Sequence, residues 1–294
     1  MERYLLGLYE KSMPGILTLP EKLEETRNAG FDYIEISIDE TDEKLARLDW
    51  SDKEIRELCN AADLTGTPVK SICLSGHRRF PLGDPDPAVQ KKSLEIMQKA
   101  VALASKLGVR IIQIAGYDVY YKPSSEETRA IFADNLARSV QMAAREGVML
   151  AFETMETEFI NTVAKAAEWV NRIDSPYLQI YPDIGNITNA SVLYSTDVLE
   201  DLASGRGHLA AVHLKETKPG IFREVPYGTG HVDFPSAAAK AFQLGVNMFV
   251  GEFWYTGEDN WREILRSSNS FLRAGLQKGE EMAALDGLSH REKS

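Results

Sequence analysis

The chain has 294 residues, 44% of them hydrophobic and 26% charged, and its 44 acidic against 33 basic side chains leave a net charge of −11. This hydrophobic content excludes a disordered chain, and the acidic balance disfavours a surface that grips nucleic acid or anionic membrane by charge. The length suits either two domains of ~150 residues or one large α/β barrel.

The opening stretch, MERYLLGLYEK, has too short an apolar segment before Glu10 and Lys11 for a signal peptide or membrane span, so a cytoplasmic protein is expected. Short, nearly continuous apolar runs then recur along the chain: Tyr4–Tyr9, Tyr33–Ile38, Val69–Leu74, Arg110–Ala115, Met149–Glu153, Leu178–Pro182, Leu209–Leu214 and Met248–Phe253. Such runs are expected of strands buried on both faces of a parallel sheet. Amphipathic helical segments lie between them. Pro20 opens one that ends at Gly30, Pro87 to Leu107 ends at Gly108, and Ser125 to Glu146 ends at Gly147. Each glycine stands where a helix hands over to the next strand. Capping-box spacing occurs at Ser124–Glu127, and Ser51 precedes a helical run. Cys59 and Cys73 are too few for a disulfide framework and are expected to be buried thiols in a reducing compartment.

Eight evenly spaced runs correspond to about 37 residues per βα unit, with no linker or composition break, which predicts a single (β/α)8 TIM barrel. The barrel is expected over residues 1–277, with 278–294 as a polar C-terminal extension, frayed or partner-facing.

In such barrels reacting groups sit where strands end. The last four runs end on Glu153, Asp183, His213 and Glu252, one ligand-bearing residue per neighbouring strand. Three carboxylates and an imidazole suit one divalent cation: Mn²⁺, Mg²⁺ or Co²⁺, with Zn²⁺ also compatible. Without a cation the carboxylates would repel one another. His208 lies at the beginning of its strand and reads as structural. Basic groups concentrate in two loops despite the acidic total. His77, Arg78 and Arg79 follow the third run, and Lys215, Lys218 and Arg223 follow the seventh. Either loop, with Lys11 after the first run, could clamp a substrate phosphate. No nucleotide-binding glycine motif is present.

The segments YPDIGN, AVHLKETKPGIFREVPYGTGHVDF, CLSGHRRFPLG and EISIDETDEKLARLDWS resemble those of the L-ribulose-5-phosphate (L-xylulose-5-phosphate) 3-epimerases of L-ascorbate and pentose catabolism. These belong to the xylose-isomerase-like barrels, together with ketose 3-epimerases and a metal-dependent endonuclease. The resemblance spans nearly the whole chain, from LYEKSMP to GEFW, and leaves only the tail after about residue 275 uncovered. It implies that Glu153, Asp183, His213 and Glu252 hold the metal. Asn186 stands where ketose epimerases of free sugars often carry a His, and Lys218 or Arg223 substitutes for an Arg beyond the metal His. It also implies a phosphorylated ketopentose as substrate, and a homodimer is compatible with how related barrels associate.

Epimerisation beside a carbonyl needs a base on one face and an acid on the other, and Glu153 and Glu252 are the expected pair. Asp183 and His213 would be plain ligands, and Lys215 would polarise a hydroxyl or pair with an acid. An aldose–ketose isomerase of a sugar phosphate shares the same requirements. The endonuclease reading needs more ligands and a basic groove than a chain with five histidines and a net charge of −11 offers.

Overall fold

A computed structural model describes residues 4–291, with side-chain environments through residue 286. Its strands are β1 (Leu5–Tyr9), β2 (Tyr33–Ile38), β3 (Val69–Leu74), β4 (Ile111–Ala115), β5 (Met149–Glu153), β6 (Leu178–Tyr181), β7 (Val212–Leu214) and β8 (Met248–Gly251). The helices are α1 (Leu19–Asn28), α2 (Asp42–Ala46), α3 (Asp52–Thr65), α4 (Pro87–Leu107), α5 (Glu126–Arg145), α6 (Val163–Ile173), α7 (Ile184–Tyr194), α8 (Val198–Ser204), α9 (Phe234–Gln243) and α10 (Trp261–Arg291). All strand pairings are parallel, in the order β6-β5-β4-β3-β2-β1-β8-β7. Single bridges from Ile180 to Leu209 and from Asp183 to His213 bring β6 against β7 and close the ring. The expected (β/α)8 TIM barrel is therefore the fold.

Alternation along the strands sorts two environments. In β2, Ile34, Ile36 and Ile38 belong to the apolar layer under the helices, and their neighbours Tyr33, Glu35 and Ser37 share the other face. The interior layer contains Tyr9, Tyr33, Cys73, Ile111, Ala151, Tyr181, Ala211 and Val250. Gly7 makes room for it, because a Cβ there would collide with the Tyr33 ring, whose hydroxyl donates to the Phe249 carbonyl at 2.9 Å. Towards the C-terminal mouth the inward positions turn polar, and this is where the site lies.

The helix ends follow their capping chemistry. Gly108 ends α4 at φ +72°, a conformation that favours glycine. Ser51 and Glu54 form a reciprocal capping box on α3. The box on α5 is shifted by one residue from the expected spacing. Ser125 caps with Thr128, because Ser124 donates its hydroxyl to Asp118 at 2.8 Å instead. The seventh run contributes only three strand residues, with Leu209 making a single bridge. Beyond residue 278 the chain continues as α10 through Arg291, where Gly279 allows close packing on Pro235 and Ala238 of α9. The last residues of the expected extension, 292–294, lie outside the described residues. Among the described residues no helix is long and apolar enough to cross a membrane. Cys73 is buried, Cys59 is partly buried, and both thiols are free.

His77 is part of this framework. Its Nε2 lies 3.1 Å from the carbonyl of Ser93 on α4, and burial pulls its pKa down to about 4. The unfolded chain therefore takes up a proton near pH 6.5 that the folded chain resists until about pH 4. This contribution to stability is intact above the unfolded value and is lost as pH falls through that window. Between pH 7 and pH 5 the wild type should lose about 2 kcal/mol more stability than His77→Gln. Urea unfolding at the two pH values measures the difference, and equal losses would refute it.

Candidate metal centre and active site

Four inward groups converge at the mouth. Glu153 ends β5, Asp183 follows β6 and is the N-cap of α7, His213 lies on β7, and Glu252 follows β8. One ligand atom from each lies within 4.8 Å of the others, and all four residues are buried. His213 presents Nδ1 to the centre, 3.2 Å from Glu252 Oε2 and 3.6 Å from Glu153 Oε1. Lys215, two residues along, reaches Asp183 Oδ2 at 2.5 Å and Glu252 Oε2 at 3.6 Å. Although burial opposes its charge, Asp183 and Glu252 hold the ammonium pKa above its ordinary value. Burial pushes Asp183 up to about 7 against the attraction of Lys215.

The donor set fits a divalent cation. Asp183 Oδ2, His213 Nδ1 and Glu252 Oε2 are buried without a well-aligned hydrogen-bond partner, the Lys215 contacts being ion pairs. Buried polar atoms of this kind are costly unless something satisfies them. Oxygen and imidazole donors converging on one point would be satisfied by a hard or borderline cation.

Two residues that support the cluster stand inside apolar runs and were missed by sequence reasoning. Glu35 on β2 is fully buried and lies 2.7 Å from His213 Nε2. Gln113 on β4 donates its side-chain amide to Glu153 Oε2. The available signal was the period of two, because a charged or amide residue at an inward strand position needs a partner inside the barrel.

The basic residues divide. Arg78 stacks over the Tyr120 ring at 4.5 Å, and Tyr120 donates to Glu156 at 2.9 Å. Arg223 donates to the same Glu156 oxygen at 2.9 Å and lies 5.8 Å from the Trp254 ring, as does Lys215. Arg78, Tyr120, Glu156, Arg223 and Trp254 thus form a connected rim that leads to Lys215. The loop bearing Arg223 is held by Glu216, whose buried carboxylate accepts from the backbone N–H groups of Thr217, Gly228 and Val232. Lys11 pairs with Asp39 at 2.5 Å, and Lys218 is exposed. Asn186 is buried and donates to the Thr154 carbonyl, leaving its Oδ1 unpartnered. His77 is committed to Ser93, and Arg79 pairs with Asp42 at 2.7 Å on an exposed surface. Those two are held away from the cluster, His77 by its Nε2 contact with α4 and Arg79 by its exposed ion pair.

Residues 23–274 match the xylose isomerase-like TIM barrel family. The chain is 43% identical over 281 residues to the L-ribulose-5-phosphate 3-epimerase UlaE of Shigella sonnei (strain Ss046), covering 95% of this chain and 97% of the relative. The chain belongs to this barrel family, on its L-ribulose-5-phosphate 3-epimerase branch. A second UlaE, from Salmonella paratyphi C (strain RKS4594), is 46% identical over 272 residues, covering 92% of this chain and 94% of the relative. The solved structure of an L-ribulose 3-epimerase superposes with a TM-score of 0.76 at 20% identity, covering 96% of this chain and 97% of its own. At that identity the likeness establishes the barrel alone. The 3-epimerase branch itself rests on the sequence relatives.

Proposed function

We propose that the protein is a metal-dependent 3-epimerase that interconverts L-xylulose 5-phosphate and L-ribulose 5-phosphate. The observation that carries this reading is the convergence of Glu153 and Glu252, from opposite ends of the four-strand cluster, on His213 Nδ1. Inverting C3 of a 2-ketose removes a proton beside a carbonyl and delivers one to the other face, so it needs two such groups. The names and extensive identity of the curated relatives support the substrate class.

Glu153, Asp183, His213 and Glu252 would hold the cation, with Mn²⁺, Mg²⁺ or Co²⁺ favoured by the three carboxylates and Zn²⁺ compatible. When bound, it supplies Lewis-acid stabilisation to the enediolate oxygens of the substrate. One of Glu153 and Glu252, as carboxylate, takes the C3 proton, and the other, as carboxylic acid, returns one from the opposite side. The roles exchange when the reaction runs backwards. Gln113 holds one oxygen of Glu153 through its amide. Lys215, paired with Asp183 and near Glu252, places a buried positive charge beside one of the two proposed bases.

For the phosphate, the rim arginines Arg78 and Arg223 are the proposed clamp, with Lys11 and Lys218 at the same mouth. His77 and Arg79 are left out, since their bonds go to Ser93 and Asp42. A charge-assisted hydrogen bond contributes about 1.5–3 kcal/mol. Arg78→Ala should therefore raise KM for the 5-phosphate about ten- to a hundredfold while leaving KM for the free ketose little changed. Equal changes for both substrates would reject the clamp.

Turnover in D₂O tests the reaction itself. Metal-loaded protein incubated with L-ribulose 5-phosphate should form L-xylulose 5-phosphate carrying deuterium at C3, read by NMR. Deuterium only at C1 would assign an aldose–ketose isomerase instead.

A further inference from the structure

We propose that Glu35 is the positioning residue of the metal centre, fixing which nitrogen of His213 faces the cation. The inference rests on the metal-centre reading above and adds a residue outside the four ligands. Glu35 Oε1 lies 2.7 Å from His213 Nε2, on the side of the ring opposite Nδ1, which faces Glu153 and Glu252. Its other oxygen accepts from the hydroxyls of Ser71 at 2.7 Å and Tyr181 at 3.1 Å. Both hydroxyls donate to Oε2, and Oε1 of a carboxylate can only accept, so in this arrangement Nε2 carries the hydrogen between the two side chains. The lone pair is then left on Nδ1, pointing into the cluster. An imidazole ligand needs this arrangement, and a carboxylate behind the ring also raises its basicity as a ligand.

Packing fixes the ring plane as well as the tautomer. Tyr181 meets the His213 ring edge-on with centroids 4.8 Å apart, and Tyr9 lies at 6.4 Å. Tyr181 therefore both donates to Glu35 and packs on the imidazole that Glu35 orients. Glu35 is fully buried in a strand whose alternate residues are isoleucines, and among the described residues its ion-pair partner is His213 rather than a lysine or arginine. A carboxylate in that position is costly unless its contact with His213 serves the centre.

The test compares wild type, Glu35→Gln and Glu35→Leu, each stripped of metal and titrated with Mn²⁺ against a competing chelator. Glu35→Leu should weaken Mn²⁺ binding about 10- to 100-fold, and Glu35→Gln, which retains an oxygen to accept from the ring, should recover part of that loss. In zinc-loaded wild type, the His213 ring proton should be found on Nε2 by nitrogen-15 NMR, and the zinc-loaded Glu35→Gln protein should show that signal shifted. A merely structural role would lower thermal stability without moving either readout. Should Glu35→Leu not fold, Glu35→Gln decides alone. Unchanged Mn²⁺ affinity together with an unshifted ring signal in Glu35→Gln overturns the proposal. A wild type that binds no Mn²⁺ or Zn²⁺ overturns the metal-centre reading as well, so the two failures are told apart.

Discussion

Glu252→Gln lowers kcat about 10³- to 10⁴-fold, and Glu153→Gln does the same, which corresponds to about 4–5.5 kcal/mol of lost transition-state stabilisation for either change. The amide is nearly isosteric, so the loss falls on proton transfer and on the ligand's charge rather than on the packing of the strand ends. Both carboxylates lie within 3.6 Å of the same imidazole nitrogen and are buried. A two-base mechanism makes a sharper prediction than loss of rate. With one base removed, the surviving group still abstracts from one epimer and returns the proton to the same face. Each variant should therefore exchange C3 hydrogen with D₂O in one of the two ketose phosphates and not in the other, with the preference reversed between the variants. Undiminished turnover in Glu153→Gln would end the mechanism.

Removing the metal with a chelator should reduce activity to below about 1% of the loaded enzyme, with recovery on adding Mn²⁺ or Co²⁺. The buried charges give the reason. Glu35, Glu153, Asp183 and Glu252 are all inside the barrel, and Lys215 is the one cation paired within that cluster among the described residues. Like charges this close repel by several kcal/mol even at an effective dielectric of about 20. The stripped protein should also melt several degrees lower, because a ligand present at about 1,000 times its Kd stabilises the folded state by about 4 kcal/mol. Full activity in protein shown to be metal-free by elemental analysis would refute this.

The barrel was legible because each strand is a short, mostly apolar and largely buried run, and several of the helices between strands, such as α3 and α4, end at glycines. Both signals arise locally, from backbone geometry and burial. The four clustered residues at the candidate metal centre were legible for a related reason, since a polar residue where an apolar run stops falls at the barrel mouth. The rim was only half legible. Arg78 and Arg79 are adjacent in the chain, yet one stacks on Tyr120 and the other pairs with Asp42. Composition cannot distinguish them, because the difference lies in which distant side chain each one meets. The α5 capping box shifted by a residue for the same reason, since Asp118, outside the helix, takes the hydroxyl of Ser124.

By itself the sequence determined the barrel, its strand spacing and the four groups at its mouth, since these depend on periodicity and on where apolar runs end. Only the tertiary structure decided which polar groups act together. Glu35 is 178 residues from His213, and closure of the ring brings β2 and β7 to face one interior, whereas Gln113 is 40 residues from Glu153 and meets it through the parallel pairing of β4 with β5. Arg223 meets Glu156 across 67 residues in the same way. The hydrogen bonds that orient the centre are long-range, so they follow from the fold and leave no pattern along the chain.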